Sequence, residues 1–553
     1  MSDFYLAAKD KRLKTCDNSW FNYRLSPTDD WIFNIFGPQN TFSIARVEND
    51  WICSLGYSCS LNLGSMDDTL KKILLEFDEN KILSIKKELV GQYILIIKKR
   101  EFMYILADFL GCRNIFYSAD RIITSSSFSF IEKSLGPHPH DFDSQAFIEF
   151  LAVKEILYPC WLGRHTINRS INYLLPYEYI KVNLNNPNFD IKAIKQYINN
   201  EKISDIKTLS ERLINSLERI IYREEFKDSL LCSSITGGRD SRLVATIAAK
   251  KYPNCNYRIA ISSINRNSIK DYKVAKKISR INNAPLDVYE LKLPFHENIF
   301  TKITENFCPA FNITITPIII NADRYAIGFG GVYGTELFAP ITCKDIQEYF
   351  TNALSRAKSS LMIKENFWHS FASSILDQIN EIKEHYHFEV YDERDYIRLF
   401  NLLMTARYSS FIIAAFNQFG YQLEPFGSFP TVELAFQISP NLWGNKRRII
   451  GDALVEKAAL AKLSPRAGRL LAYSSYRPVM PFSIWLSPIY LWGYALNVFS
   501  SASNKIVPRQ RKQRREIMPG VFYLSTGWEK YYIEKLRVYD SRQTYKTQKT
   551  GVY

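Results

Sequence analysis

The apolar positions of this chain change rhythm along its length. Residues 88–128 carry short apolar runs broken by turns: Leu89 to Ile97 around Gly91, Met103 to Tyr117 around Asp108, Gly111 and Arg113, then Ile122 to Ser127. Runs of that length, bounded by turn residues, predict strands. Farther on, the apolar run at 230–235 meets a Gly237-Gly238 turn, and Leu243, Val244, Ile247 and Ala248 follow at helical spacing. Residues 257–263 predict the next strand, 271–278 a helix and 286–291 another strand. Strand, helix and strand in succession favour a parallel sheet, in which ligands sit at the carboxyl ends of the strands. Residues 395–470 are helical in pattern.

The turn Ile235-Thr236-Gly237-Gly238-Arg239-Asp240-Ser241 carries candidate chemistry. Adjacent glycines let backbone approach a ligand and point several N–H groups at one place, and the following helix aims its positive end there. Such a loop suits the phosphates of ATP. Asp240 adds a carboxylate for Mg2+, and the Thr236 and Ser241 hydroxyls can donate to phosphate oxygens. An ordinary strand-turn-helix corner is the plainer alternative; the order strand, glycines, Asp, Ser, helix favours the ligand-binding reading.

This turn resembles Ser-Gly-Gly-x-Asp-Ser, the signature of the ATP pyrophosphatases, with Thr236 in the first serine's place. The strands of 88–128, with their Asp108-x-x-Gly111-x-Arg113, resemble the glutaminase-type domain of class B asparagine synthetases, and residues 146–151, 166–171 and 174–179 continue the resemblance. It implies an α/β fold in two parts. An Ntn-type αββα sandwich is expected over 1–195, a parallel-sheet ATP-pyrophosphatase domain over 205–475, and an apolar and basic extension over 476–553.

Residues 326–338 resemble the family's second motif, Ser-Gly-x-Gly-x-Asp-Glu-x-Phe, which implies that Gly330 and Gly331 belong to a loop closing over nucleotide. The chain departs from it in three places. Thr335 stands where the family has a magnesium-binding Asp, Tyr333 replaces the second Gly, and Val332 stands where asparagine synthetases carry Glu and β-lactam synthetase carries Tyr. A turn shifted by one residue would let Glu336 join Asp240 in holding the metal, which needs only one or two protein carboxylates. Tyr333 would supply a polar group near the acceptor. A Gly-rich structural turn with an exposed Glu is the alternative. Residues 425–436 resemble the Pro-Phe-Leu-Asp segment with Ser428 in place of Asp, and Asp271 matches an acidic position that a helix N-cap would equally explain. The family also supplies a late lysine that steadies developing negative charge; Arg469 lies nearest in pattern, with a solvated surface charge as the alternative.

Glutamine-using members carry, after the initiator methionine, a cysteine whose own α-amino group activates its thiol. Here the chain begins Met1-Ser2-Asp3. Serine is the weaker nucleophile at neutral pH. Cys16 reads as a plain buried thiol. Relatives without that cysteine, such as β-lactam synthetase and the lasso-peptide cyclases, use an amine already present in the substrate. The resemblance thus implies a ligase that activates a carboxylate of an amino acid, peptide or sugar acid as an acyl-adenylate and passes it to an amine or ammonia.

Composition adds bounds. A chain of 553 residues, 46% hydrophobic, can fill two cores. Nine cysteines without Cys-x-x-Cys spacing indicate neither a zinc site nor a disulfide framework, and a reducing cytosol is the default. His138, His140, His385 and His387 read as surface residues. The charged start predicts no signal peptide. A net charge of +15 favours anionic partners. The uncharged aromatic stretch 480–499 and the basic run 505–515 allow peripheral contact with a membrane or a biosynthetic complex, with a buried C-terminal segment as the preferred alternative. Nucleic acid is not favoured, because a tRNA-modifying enzyme would leave residues 1–190 unexplained. A noncatalytic nucleotide-binding partner of a biosynthetic complex remains the main alternative. Purified protein incubated with glutamine is expected to release no ammonia; release above the no-enzyme rate would contradict the reading of Ser2.

Overall fold

In the computed structural model the described residues are 3–8, 21–25, 31–36, 41–62, 64–136, 143, 145–146, 149–150, 152–153, 160–186, 188–262, 266–291, 326–339, 341, 343–360, 365–416, 420–442, 453–468, 470–472 and 477–478. Ser2, Cys16, His138, His140, Arg469 and the 480–515 segment lie outside them.

Two six-stranded antiparallel sheets stack face to face. The first runs Ile171–Tyr173, Phe116–Ser118, Ile123–Ser125, Asp3–Ala8, Trp31–Phe36, Phe21–Leu25, and the second Phe189–Ala193, Glu178–Asn183, Phe102–Ala107, Tyr93–Lys99, Asp50–Gly56, Phe42–Val47. Because successive strand residues point to opposite faces, each strand feeds two cores. Phe4, Leu6, Phe33 and Ile35 meet Ile94, Ile96, Met103 and Ile105 between the sheets. Tyr93, Leu95, Ile97, Tyr104 and Leu106 turn outward and pack with Leu70, Leu74, Ile82 and Ile85 of the helices Met66–Glu76 and Ile82–Glu88. On the other outer face, Tyr5, Ala7, Phe116 and Ile123 pack with Phe128 and Ile131 of the helix Phe128–Leu135. The result is the expected helix-sheet-sheet-helix sandwich. Each fully buried large apolar side chain adds roughly 1.5–3 kcal/mol to its stability.

The second helix of the sandwich also buries a cation. Lys86 is fully inaccessible and donates to the Pro176 carbonyl at 2.6 Å. Burial lowers its pKa to about 8, against the pull of Asp108 and Glu178.

The later strands form a five-stranded, all-parallel sheet in the order Leu286–Leu291, Asn256–Ser262, Leu230–Ser234, Ala326–Phe329, Gly420–Leu423. The chain starts at the central strand, steps outward on one side, then returns to build the other. Direction therefore reverses between Leu230–Ser234 and Ala326–Phe329, and the loops leaving these two strands diverge at a topological switch point. The α/β class expected from sequence is what the structure has. A parallel strand pair, Gln196–Ile198 with Tyr386–Phe388, ties the sandwich to the later elements, and one apolar core spans the first sheet's outer face and the parallel sheet.

His385 and His387, read as surface residues, are half-buried against tyrosines: His385 stacks on Tyr177 with ring centroids 4.4 Å apart, and His387 lies 5.3 Å from Tyr197. Among the described residues, no helix is long and apolar enough to cross a membrane.

Gly91 turns the chain between the short strand Leu89–Val90 and the strand Tyr93–Lys99 at φ 115°, and a Cβ there would fall on the Tyr57 carbonyl. Gly91→Ala is expected to destabilise the protein by about 3 kcal/mol or more, from left-handed strain and a backbone clash together. Urea unfolding followed by tryptophan fluorescence measures it; a change under about 0.5 kcal/mol would contradict the packing.

Candidate functional site

The first glycine loop leaves the central strand Leu230–Ser234 and enters the helix Arg239–Lys251. Leu243, Val244, Ile247 and Ala248 are fully buried, so the helix is fixed against the sheet and its start is fixed with it. Gly238 occupies the cap position in extended geometry and no side chain caps the helix. The first-turn N–H groups thus face the switch point at the positive end of the helix dipole.

Side chains hold the loop in shape. The Thr236 N–H donates to Ser241 Oγ at 3.1 Å, the two hydroxyls lie 2.9 Å apart, and the Gly238 N–H donates to Thr236 Oγ1 at 3.1 Å. Arg242, fully buried, donates to the Gly237 carbonyl at 3.0 Å and to the Ala467 and Leu470 carbonyls at 3.0 and 2.9 Å. Its burial lowers the guanidinium pKa to about 10. Arg239 reaches the buried Glu456 at 2.6 Å and lies 3.4 Å from Asp240 Oδ1.

Asp271 bears on the first loop directly. It lies inside the helix Arg266–Asn282, not at its N-terminus, and accepts the Gly237 N–H at 3.1 Å. A Cβ on Gly237 would sit 2.5 Å from that carboxylate oxygen, so Gly237 is small because Asp271 occupies the space. Burial raises the Asp271 pKa, partly offset by the Gly237 N–H.

The second glycine loop lies directly on the first. A Cβ on Gly331 would meet the Ser241 nitrogen at 2.5 Å and its Cα at 2.7 Å, and one on Gly334 would meet the Asp240 side chain at 2.7 Å. The Thr335 hydroxyl donates to Asp240 Oδ2 at 2.8 Å. Position 335 therefore faces Asp240. Glu336 is half-buried on the short helix Gly334–Phe338, where its backbone carbonyl accepts from Arg398 at 3.4 Å. Tyr333 adopts left-handed geometry at φ 78°, and its buried hydroxyl pairs with Ser409 at 2.6 Å and donates to Cys112 at 3.2 Å. Burial drives its pKa far above the phenol value, so it is neutral. Gly330 makes room for something else: a Cβ there would fall on the Glu424 carboxylate.

Glu424 was not found from sequence. It follows the edge strand Gly420–Leu423, is 2% exposed, and accepts the Val332 N–H at 2.9 Å and the Gln422 amide at 2.8 Å. The signal lay in two strands read together. Gly328 and Gly330 lack side chains on the face where Gln422 and Glu424 extend, and a Cβ on either glycine would land on them. Ser428 closes its own turn, donating to the Pro425 carbonyl at 2.9 Å.

Structure thus brings together Thr236, Gly237, Gly238, Arg239, Asp240, Ser241, Gly331 and Thr335. Ile235 leaves the strand beneath them, donating to the Arg258 carbonyl at 2.9 Å. The Asp240 side chain, 16% exposed, is accessible beside a hydroxyl. Its carboxylate and the Thr335 oxygen are oxygen donors of the kind Mg2+ takes together with phosphate and water. Among the described residues, no group of three or more His, Cys, Asp and Glu side chains forms a metal cluster. A separate cleft of about 280 Å3 lies on the sandwich helices, lined by Thr69, Lys72, Glu76, Lys81 and Glu88, and shares no residue with these loops.

No family model and no curated protein matches the chain. Among solved structures, the chain is similar to a glutamine phosphoribosylpyrophosphate amidotransferase from B. subtilis complexed with ADP and GMP, at 9% identity and a TM-score of 0.21, over 59% of this chain and 68% of that one. It is also similar to an allosteric regulatory enzyme of purine biosynthesis, at 9% identity and a TM-score of 0.22, over 64% and 72%. At these scores the overlap does not extend to the arrangement of the whole chain, and the fold assignment rests on the sheets described above.

Gly331→Ala is expected to push the second loop off the helix, because the obstacle is backbone, at a cost of about 1–3 kcal/mol. Hydrogen exchange should then quicken at Val332 and Ser241 while the sandwich strands stay protected. Unchanged exchange at both loops would contradict the close approach.

Proposed function

We propose that this protein is an ATP-dependent ligase that activates a substrate carboxylate as an acyl-adenylate and transfers the acyl group to an amine or to ammonia, without hydrolysing glutamine. The observation that carries the reading is the Gly237-Gly238 loop at the switch point of the parallel sheet, feeding an uncapped helix start, with Asp240 accessible beneath a second glycine loop. A loop of this kind favours a polyphosphate through its N–H groups and helix dipole.

In the proposed reaction a substrate carboxylate oxygen attacks the α-phosphorus of ATP, and the bond to the β-phosphate oxygen breaks. Pyrophosphate leaves and the carboxylate becomes a mixed anhydride with AMP. An amine nitrogen then attacks the acyl carbon and AMP departs, with one proton lost from nitrogen. The loop N–H groups bind and orient phosphate oxygens, and the stacked loops exclude water from the anhydride. Asp240, with the Thr335 hydroxyl beside it, would hold Mg2+, and Glu336 is the second carboxylate proposed to reach it. The ion, when bound, supplies screening of the pyrophosphate charge. Arg239 is proposed to turn from Glu456 toward phosphate. Arg469 is proposed to steady charge in the second step.

The acceptor nitrogen is proposed to be an amine of the substrate or free ammonia. The acyl donor is proposed to be an amino acid, peptide or sugar acid, and contact with a membrane-bound biosynthetic complex through 480–515 is proposed from its aromatic and basic composition. A second reading, a noncatalytic nucleotide-binding partner, draws on Thr335 standing where an acidic ligand is expected.

ATP-pyrophosphate exchange with magnesium and a panel of carboxylic acids and short acidic peptides tests the proposal. Exchange with one substrate class is expected, and Asp240→Asn should lower its rate at least tenfold. Nucleotide binding without exchange would favour the second reading, and no nucleotide binding at all would sink both.

A further inference from the structure

The second glycine loop does not stand alone over the first; it rests on a carboxylate. Glu424 lies under it, with Oε2 accepting the Val332 N–H at 2.9 Å and Oε1 accepting from Gln422 at 2.8 Å. Gly330 crosses the same carboxylate so closely that no side chain would fit, and its N–H continues the ladder to the Leu423 carbonyl at 2.8 Å. The next residues of the loop contact the helix start: Gly331 at Ser241, Gly334 and Thr335 at Asp240. Glu424 is therefore one residue from the segment that covers the nucleotide loop.

The backbone of Glu424 is itself held from the sandwich. Its N–H donates to Gln92 Oε1 at 2.8 Å, and its carbonyl accepts from Gln92 Nε2 at 3.2 Å. This two-point amide pair spans 332 residues of sequence and is buried. Gln92 is in turn fixed by the Gly91 turn and stands at the start of the strand Tyr93–Lys99. A continuous path thus runs from the sandwich through Gln92, Glu424 and Val332 to Asp240.

We infer that Glu424 is a positioning residue for the nucleotide site and that the sandwich, through Gln92, is the buttress that keeps the covering loop in place. The inference rests on the proposed binding of ATP at the Gly-Gly loop. It gives the sandwich a part in that site that needs no glutaminase chemistry.

The site titrates where it can be observed. Burial pushes the Glu424 pKa up to about 7, opposed by the Gln422 amide and the Val332 N–H. The titratable groups facing it are Tyr333 of the covering loop and Cys112 of the Asp108 turn, both kept protonated by burial. Gln422 on its own strand and Gln92 on the sandwich carry no charge. An ionised Glu424 can accept from both donors at once; protonated, it must turn one oxygen into a donor, and the loop loses hold. Because the folded-state pKa is raised, folding is favoured by this group below the ordinary carboxylate value, and that advantage is lost as pH rises through 7. Glu424→Gln, uncharged at every pH, is thus expected to melt no lower than the wild type at pH 8.

The test is Mg-ATP affinity by isothermal calorimetry on the full chain, from pH 6 to pH 8.5, for wild type, Glu424→Gln and Gln92→Met. Wild-type affinity should fall about tenfold more between pH 8 and pH 6 than that of Glu424→Gln, and the two proteins should bind alike at pH 6, where both are uncharged at this position. The titration of ATP itself is common to both. Gln92→Met keeps the volume and loses both bonds, and should weaken binding about tenfold at pH 8 with near-ultraviolet circular dichroism unchanged. Parallel pH profiles in wild type and Glu424→Gln, or full affinity in Gln92→Met, would overturn the inference and leave the nucleotide site standing. Wild-type protein that binds no Mg-ATP would remove the proposed function and this inference together.

Discussion

Two loops separated by more than ninety residues meet at the switch point with no space for a side chain between them, and much of the site follows from that approach. The contact is backbone on backbone at Gly331 and Ser241, and backbone on side chain at Gly334 and Asp240. A chain that passes so close must turn sharply to leave. Tyr333 makes the turn in left-handed geometry, an unfavourable conformation for a residue with a Cβ. Burial of its ring against the position of Gly427, and two partners for its hydroxyl, offset that strain. The aromatic residue expected near the acceptor is thereby committed to the core.

Local charge has been arranged so that one acid differs from its neighbours. Asp271 is engaged by a backbone N–H of the first loop, Glu424 by one of the second, and Glu456 by the Arg239 guanidinium. Asp240 receives a hydroxyl and lies at the edge of the Arg239 fork. Three carboxylates therefore shape the loops, and the fourth lies where the two loops meet, 16% exposed. Arg242 opposes them from below with its charge buried, joining the Gly237 carbonyl to the carbonyls of 467 and 470. The helix start is bound to two parts of the chain far away in sequence.

What the sequence made legible was what local rhythm encodes. Apolar runs between turn residues marked the strands of the sandwich, and the Gly-Gly turn after an apolar run marked the first loop, because both signals lie within a dozen residues. Less legible were pairings between distant strands. Gln422 and Glu424 drew no reading from sequence; they are dry because Gly328 and Gly330 on the neighbouring strand leave space over which they lie. Asp271 matched an acidic position of the resemblance that a helix cap would equally explain; the cap alternative falls because the helix begins at Arg266. In the pair Lys86 and Lys87, rhythm alone does not say that the first is sealed inside while the second reaches over the Phe429 ring at 4.6 Å. The motif with its substitutions did not show that the turn keeps Thr335 toward Asp240.

The placement of Glu424 after the final strand of the parallel sheet also sets a timetable. A ribosome adding about 5–20 residues per second needs roughly ten to forty seconds to travel from the Gly-Gly loop to Glu424. Over that interval the residues of the first loop, Gln92 and the strands of the sandwich have been made, but not the prop for the second loop. The order of synthesis thus puts the prop of the second loop after the strands of the sandwich and before Glu456, Ala467 and Leu470, which hold the first.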